Sequence, residues 1–305
     1  MFRTATISDK KQLIALWSAA FGDSREDIEL FFSYCFEHCD CFVCEADGTI
    51  VSALYALHCK IVIDGSAANA RYIYAAATDT RYRKMGYMSK LIEFAHESLS
   101  DIDYFLLIPA SKSLEKFYSK LGYVTTFSHR KMHFPAEFQS KMQSDLNCDE
   151  YNITAIGDAA EIDDFTEIDD VAAITMRNEL LASYSDSNFA PVIWDKTESY
   201  VNRFYTDCGY KWYSVGRGIA LAKKKRETAD IIEYIGNDAD VAACAFCRYF
   251  DTNSARVIVP NASAFNRRCG STICSEDIVY RGMLYTKNEV KLNCNATCYV
   301  NLFLE

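Results

Sequence analysis

The chemistry most legible in this sequence lies between Tyr72 and Ile92, where Arg83-Lys84-Met85-Gly86-Tyr87-Met88-Ser89 follows an apolar run and precedes an amphipathic one. The order predicts a strand, a turn and the first turn of a helix. The leading N–H groups of a helix have no partner inside it, and the peptide dipole draws an anion to that end. Glycine at position 86 lets the main chain approach a phosphate closely, and the cations Arg83 and Lys84 add charge. Together these features describe a diphosphate cradle. The segment is not a Walker loop, because GxxxxGK[ST] is absent, and it has one glycine where a dinucleotide fingerprint has three.

Other reactive side chains offer less. The 13 cysteines include Cys41-Phe42-Val43-Cys44 and Cys244-Ala245-Phe246-Cys247, but neither has a second CxxC or a His pair at zinc-finger spacing. Both read better as buried strands in which Cys is a small hydrophobe, so no metal is expected. His38, His58, His96, His129 and His133 form no pair at ligand or triad spacing. His58, on a long predicted strand, is the one candidate base among them.

Such groups need a scaffold, and the pattern supplies one. Arg3 to Ile7 predicts a short strand, and Lys10 to Ala20 and Arg25 to Phe36 predict helices. Strands follow at Cys41 to Ala46 and Ile50 to Ile63, with turns at Asp47-Gly48 and Asp64-Gly65 before the run Ala67 to Ala77. Lys84 to Ser98 predicts a helix, Tyr104 to Ile108 a buried strand of the parallel type, Ser111 to Leu121 a helix ending at Gly122, and Tyr123 to Phe134 a strand. The polar stretch Pro135 to Glu150 marks a domain boundary. Beyond it the pattern predicts a strand at Tyr151 to Ile156, then helices at Val171 to Ala182 and about Thr197 to Cys208. Further strands are predicted at Trp212 to Val215, Gly218 to Ala222, Asp230 to Tyr234, Ala242 to Tyr249, Val257 to Pro260, Met283 to Tyr285 and Cys298 to Leu304.

The chain has 305 residues, enough for two domains, and 50% of them are hydrophobic. Gly and Pro number only 12 and 4, which excludes collagen-like and low-complexity classes. Net charge is -10, against a general nucleic-acid binder, which needs a basic face. The first 145 residues hold 16 bases and 18 acids and the remainder 16 and 24, so the acidity is concentrated in the second half. Asp158, Glu161, Asp163, Asp164, Glu167, Asp169 and Asp170 read as a solvated lead into a helix. Lys223-Lys224-Lys225-Arg226 reads as a solvated basic turn. No run approaches a bilayer-spanning length and no secretory leader is seen, so a cytoplasmic protein with reduced thiols and no membrane partner is expected.

At Arg83-Lys84-Met85-Gly86-Tyr87-Met88 the sequence resembles the GNAT superfamily of N-acetyltransferases, whose [QR]-x-x-G-x-[GA] motif binds the diphosphate of acetyl-CoA. Arg83 and Gly86 match, and Met88 stands where the family has Gly or Ala. Ser111-Lys112-Ser113-Leu114-Glu115-Lys116-Phe117-Tyr118-Ser119-Lys120-Leu121-Gly122-Tyr123 is similar to a second family helix, N-x-x-A-x-x-F-Y-x-k-x-G-F. There Ser111 replaces Asn and Leu114 replaces Ala. The resemblance implies an α/β (α+β) fold: a mixed, mostly antiparallel central sheet flanked by helices, with a V-shaped splay between the fourth and fifth strands. It implies acetyl-CoA as co-substrate, with Arg83, Lys84, Met85, Gly86, Tyr87, Met88 and Ser89 at the diphosphate and Ser111 nearby. Ala76 and Thr78, on one face of a strand, would line the pantetheine arm. It implies Tyr118 as the acid for the departing thiolate.

Tandem members similar to the enhanced-intracellular-survival acetyltransferases carry a second, degenerate copy. The resemblance therefore divides the chain into a catalytic domain at 1–140 and a degenerate one at 151–305, with no sterol-carrier-like third domain. Met283 to Tyr285 and Cys298 to Leu304 would be late strands of that second domain, with Arg281-Gly282 a turn. Phe204-Tyr205-Thr206-Asp207-Cys208-Gly209-Tyr210 echoes Phe117 to Tyr123. Longer relatives use a terminal carboxylate as base, a role open here to Glu305. The expected acceptor is a primary amine of a small molecule or peptide. Asp23, Glu26, Asp27 and Glu29 would suit a cationic one, although they read first as acids of a helix start. The rivals are a silent acyl-CoA-binding or scaffold protein and a transferase with a larger acceptor. Self-association is left open.

Overall fold

A computed structural model describes residues 1–138, 166–167, 170–186, 188–265, 274–287 and 297–300. The predicted strand Tyr151 to Ile156, most of the acidic run, Glu305 and the end of Cys298 to Leu304 lie outside them.

The chain enters through β1 (Phe2–Thr4) and a 3-10 turn at Ile7–Asp9. The Arg3 guanidinium bonds both Asp9 carboxylate oxygens, at 2.7 and 2.9 Å, and holds that carboxyl down to about 2. Two helices follow, α1 (Lys10–Phe21) and α2 (Arg25–Tyr34), the second capped by Ser24, whose Oγ accepts the Asp27 N–H at 3.1 Å. A meander of β2 (Cys39–Ala46), β3 (Thr49–Ile63) and β4 (Ser66–Thr78) comes next. Its two turns are the expected Asp-Gly pairs, with φ of 49° and 73° at Asp47-Gly48 and 48° and 74° at Asp64-Gly65. Both residues are left-handed in each, as the twist of a tight hairpin demands.

Helix α3 (Tyr87–Ser98) crosses to β5 (Tyr104–Leu107), which runs parallel to β4 with Ala70 opposite Tyr104 and Tyr72 opposite Leu106. Helix α4 (Lys112–Ser119) then leads into β6 (Val124–Phe134). The second half contributes β7 (Thr166–Glu167), α5 (Asp170–Ser183), β8 (Phe189–Trp194), α6 (Glu198–Asp207), β9 (Lys211–Val215), β10 (Gly218–Lys225) and β11 (Thr228–Ile235). It ends with α7 (Ala239–Tyr249), β12 (Ser254–Pro260), β13 (Ser275–Thr286) and β14 (Thr297–Tyr299).

These strands form one mixed sheet in the order β1-β2-β3-β4-β5-β13-β6-β12-β11-β10-β9-β7. Strand β13 lies between β5 and β6, antiparallel to both, so a strand from the end of the chain completes the sheet begun by the first half. Arg281-Gly282, expected as a turn, lies inside β13 at a register irregularity. A Cβ at Gly282 would stand 2.8 Å from the Phe127 Cβ, and only glycine admits that approach.

Ala242 to Tyr249, expected as a strand, is helical as α7. Its residues Ala242 to Cys247 are all buried, and a short, wholly buried apolar run does not distinguish the two states. Alanine-rich composition favours the helix. Strand β8 is not among the predicted elements; its Pro191, which has no N–H to give a ladder, lies outside the three residue pairs that join β8 to β3. Of the basic turn, Lys223 to Lys225 belong to β10 and Arg226 turns at φ 56°.

One face of the first-half sheet packs α1 and α2 through Leu13, Trp17 and Phe31 against Tyr55 and Tyr72. The other packs α3 and α4 through Leu91, Ile92 and Tyr118, with Met283 of β13 among them. A separate core joins Phe134, Tyr213, Phe246 and Val257 under α7. Among the described residues no helix is long and apolar enough to cross a membrane.

Candidate functional site

The site is built from the end of β4 outward. Between the pairs Tyr55–Tyr74 and Ala53–Ala77, β4 carries one residue more than β3, and Ala75 there has φ 44°. This bulge turns the strand just beyond its ladder with β5. The run of small side chains Ala75-Ala76-Ala77 is its local sign in the sequence. Past the bulge, the Thr78 hydroxyl meets Ser52 Oγ at 2.9 Å, and Ala76 packs toward the α3 core.

The following loop is braced by its own charges. Asp79 Oδ1 accepts the Arg81 N–H at 2.9 Å, and the Arg81 guanidinium closes on the same carboxylate at 2.8 Å. Arg81 therefore holds the Asp79 carboxyl down to about 2. Arg83 donates from Nε to the Thr78 carbonyl at 3.0 Å, leaving its backbone to turn toward α3. Two left-handed residues make that turn, Lys84 at φ 65° and Gly86 at φ 82°. The helix expected from Lys84 accordingly starts at Tyr87, with Gly86 as its N-cap.

The N-cap of this helix has no side chain, unlike those of α2 and α4. Ser24 caps α2, and Ser111 caps α4 by accepting the Leu114 N–H at 3.3 Å. Gly86 has no side chain to offer and α3 has no side-chain cap, so its first amides remain available to an anion. A Cβ built at Gly86 meets nothing within 4 Å. Arg81, Arg83, Lys84 and Met85 are exposed around it, while Tyr87 packs edge-on against Tyr82 with centroids 6.0 Å apart. Met88 turns inward onto the α3 core, so its bulk is absorbed away from the loop. Ser89 is partly exposed in the first turn. Beside the loop, Thr78, Arg81 and Arg83 line a cavity of about 400 Å³ against α1.

Tyr118 lies on the inner side of α4, 7% exposed, with its ring edge-on to Phe117 and Tyr123. Burial alone pushes its phenol up to about 12. The Tyr72 hydroxyl, opposite the last β5 pairing, is also raised, first by burial and then by Tyr74 and Tyr118 nearby. Gly122 turns at φ 89°, and the Tyr123 N–H returns to the Tyr118 carbonyl at 3.2 Å. The echo in the second half has the same geometry: Gly209 has φ 82°, and the Tyr210 N–H reaches the Tyr205 carbonyl at 3.1 Å.

The remaining candidates are structurally engaged. Asp23 accepts from the Trp17 indole at 2.7 Å, and Glu29 pairs with Lys10 at 3.0 Å. The His58 imidazole meets Asp40 at 3.1 Å, and Asp40 also takes Arg71 at 2.7 Å. Cys41, Cys44, Cys244 and Cys247 are buried free thiols, and no metal-holding group of three His, Cys, Asp or Glu occurs among the described residues.

Residues 1–126 match a family model described as an acetyltransferase (GNAT) domain. The fold is shared with a probable N-acyltransferase from Enterococcus faecalis V583, at 15% identity and TM-score 0.69, over 94% of this chain and 72% of that one. It is shared with a GCN5-related N-acetyltransferase from Anabaena variabilis, at 15% identity and TM-score 0.68, over 94% and 73%. It is shared also with Eis1 from Mycobacterium abscessus, at 8% identity and TM-score 0.66, over 94% and 73%. No curated protein matches.

Proposed function

We propose that this chain is an acetyl-CoA-dependent N-acetyltransferase, acting by direct attack of a bound primary amine, with its site in residues 1–140. Residues 151–305 are read as a degenerate second unit that lends β13 to the first-half sheet, supported by the matched α4 and α6 termini. The observation that carries the reading is the N-terminus of α3: glycine-capped, free of side-chain caps and set among Arg81, Arg83 and Lys84.

The amides of Tyr87, Met88 and Ser89 and the cations before them hold the diphosphate. The pantetheine arm follows β4 beyond Tyr72, where strands four and five part in a V and Ala76 and Thr78 border it. Acetyl-CoA supplies the thioester: the amine nitrogen forms the new C–N bond, the C–S bond breaks, the ammonium proton passes to solvent and the thiolate leaves. Tyr118 stays protonated throughout the neutral range, so its hydroxyl is a hydrogen-bond donor for that sulfur. A free thiol titrates near 8.5. A phenol at about 12 therefore stabilises the thiolate by hydrogen bonding rather than surrendering its proton outright.

Thiol release from acetyl-CoA in the presence of a panel of primary amines tests the reading. Amine-dependent release is expected. Binding without release for every amine would favour the silent acyl-CoA-binding alternative.

A further inference from the structure

Three thiols meet on the face of the first-half sheet that α1 and α2 cover. Cys35 stands at the C-terminal end of α2, wholly buried, with its N–H on the Phe31 carbonyl at 2.8 Å. A single 3-10 turn, Phe36–His38, carries the chain on to Cys39, the first residue of β2. That turn brings two sulfurs together: the Cys35 and Cys39 thiols hydrogen-bond each other, and the Cys39 thiol also donates to the Phe36 carbonyl at 3.5 Å. Cys41, two residues further along β2, is buried in the same core. Opposite it in the β2–β3 ladder, Tyr55 carries a buried hydroxyl with no hydrogen-bond partner among the described residues.

Access and reach give the two paired thiols different parts. Cys39 is partly exposed and open to a small oxidant, whereas Cys35 has no exposed surface. Burial also keeps Cys35 protonated by pushing its thiol up, which leaves the first attack to Cys39. Side chains at i and i+2 of a strand stand parallel, farther apart than the roughly 4 Å between Cβ atoms that a disulfide spans, so Cys41 is a poor partner for Cys39. Cys59, diagonal to Cys39 across the ladder, accepts a backbone hydrogen bond from Tyr72 and lies in the fields of Arg71 and Asp195.

We propose that Cys35 and Cys39 form a redox-modification site, which closes to a disulfide when a peroxide oxidises Cys39. The Cys39 sulfur, having released its proton, attacks one peroxide oxygen. The O–O bond breaks, the departing hydroxide takes up that proton as water, and Cys39 is left as a sulfenic acid. The Cys35 sulfur then attacks the Cys39 sulfur, the S–O bond breaks, and the hydroxide leaves with the Cys35 proton as a second water. The two thiols together lose two electrons and two protons, and the peroxide is reduced to two waters. The unused Tyr55 hydroxyl lies on the same face of the sheet as the oxygen that Cys39 gains. The bridge fastens the end of α2 to the start of β2. Helix α2 meets α6 through Phe31 and Tyr200, edge-on with centroids 5.2 Å apart, so the modified turn adjoins the contact between the two halves of the chain.

This site is independent of acetyl transfer, and its test reads the sulfurs directly. The native full chain is treated briefly with equimolar hydrogen peroxide, its remaining thiols are alkylated under denaturing conditions, and chymotryptic peptides are mapped by mass spectrometry. Cleavage after Phe36 separates Cys35 from Cys39 unless a bridge joins them. The expected product is a Cys35–Cys39 cross-linked pair, lighter by two hydrogens, assigned by fragmentation and returned to two thiols by dithiothreitol. In Cys35→Ser the sulfenic acid on Cys39 should persist and be trapped by dimedone several-fold more than in the natural chain. Mapping of the natural chain decides the matter even where that variant folds poorly. A bridge from Cys39 to Cys41 or Cys59 would overturn the inference. So would Cys39 carried on to sulfinic acid without a bridge, or both thiols left intact while other cysteines react.

Discussion

The His96 imidazole lies stacked on the Tyr285 ring, with centroids 4.2 Å apart and planes 23° from parallel. Its Nε2 also meets the Tyr123 hydroxyl at 2.9 Å. Two residues beyond Tyr285, Lys287 donates to the Leu99 carbonyl at 2.8 Å, at the C-terminal end of α3. The residues around the end of β13 thus fasten one end of the helix whose other end is the proposed diphosphate cradle, which ties that candidate site to the last part of the chain.

That contact predicts a pH dependence. Burial, with Lys287 adding, pushes His96 down to about 4, below the 6.5 of an exposed histidine. Its contribution is therefore complete above pH 6.5 and declines as the pH falls through that value toward 4. The loss approaches about 3 kcal/mol once the folded group is protonated. His129 acts in the same direction and window. Asp9 and Asp79, near 2, lose their contributions only at lower pH. Denaturant unfolding between pH 7.5 and 4 should show the decline, and His96→Phe should flatten part of it. A profile level across that range would contradict the assignment.

Tyr118→Phe should lower thiol release about 10- to 100-fold with CoA affinity unchanged, because it removes the donor to sulfur and keeps the ring. Single-turnover rates alongside calorimetry check this. Full activity in the variant would dismiss Tyr118 from the chemistry.

Gly86→Ala introduces no clash, since nothing lies within 4 Å of the new Cβ, yet φ is 82°. The left-handed backbone costs an alanine roughly 1–2 kcal/mol. CoA affinity should fall about tenfold as the loop relaxes, and the melting temperature by a few degrees. Unchanged CoA affinity would separate Gly86 from the cradle.

Gly282→Val forces a side chain into the 2.8 Å approach to Phe127. Overpacking of this kind costs about 1–3 kcal/mol. Since β13 joins β5 to β6, the variant should lose both thermal stability and turnover. A melting curve identical to the parent would show that β13 does not hold those strands together.

The turns that bound the candidate site were legible because their signals are local: Gly86 at the start of α3 and Gly122 after α4 each stand where the left-handed backbone favours glycine. The hairpins at Asp47-Gly48 and Asp64-Gly65 were legible for the same reason. What escaped was non-local: Met283 pairs with Leu107 across the sequence, and nothing near Met283 announces that partner. The Ala75 bulge escaped because a strand pattern assumes an unbroken period of two. Helix α7 escaped because its buried alanines and cysteines carry no face.

The central claim is that main-chain amides at the start of α3 grip a diphosphate. Calorimetric titration with CoA and with pantetheine, which shares the thiol arm but lacks the diphosphate, tests it directly. CoA should bind at least about 100-fold tighter than pantetheine, with Gly86→Ala narrowing the gap. Equal affinities, or no binding of CoA, would contradict the account.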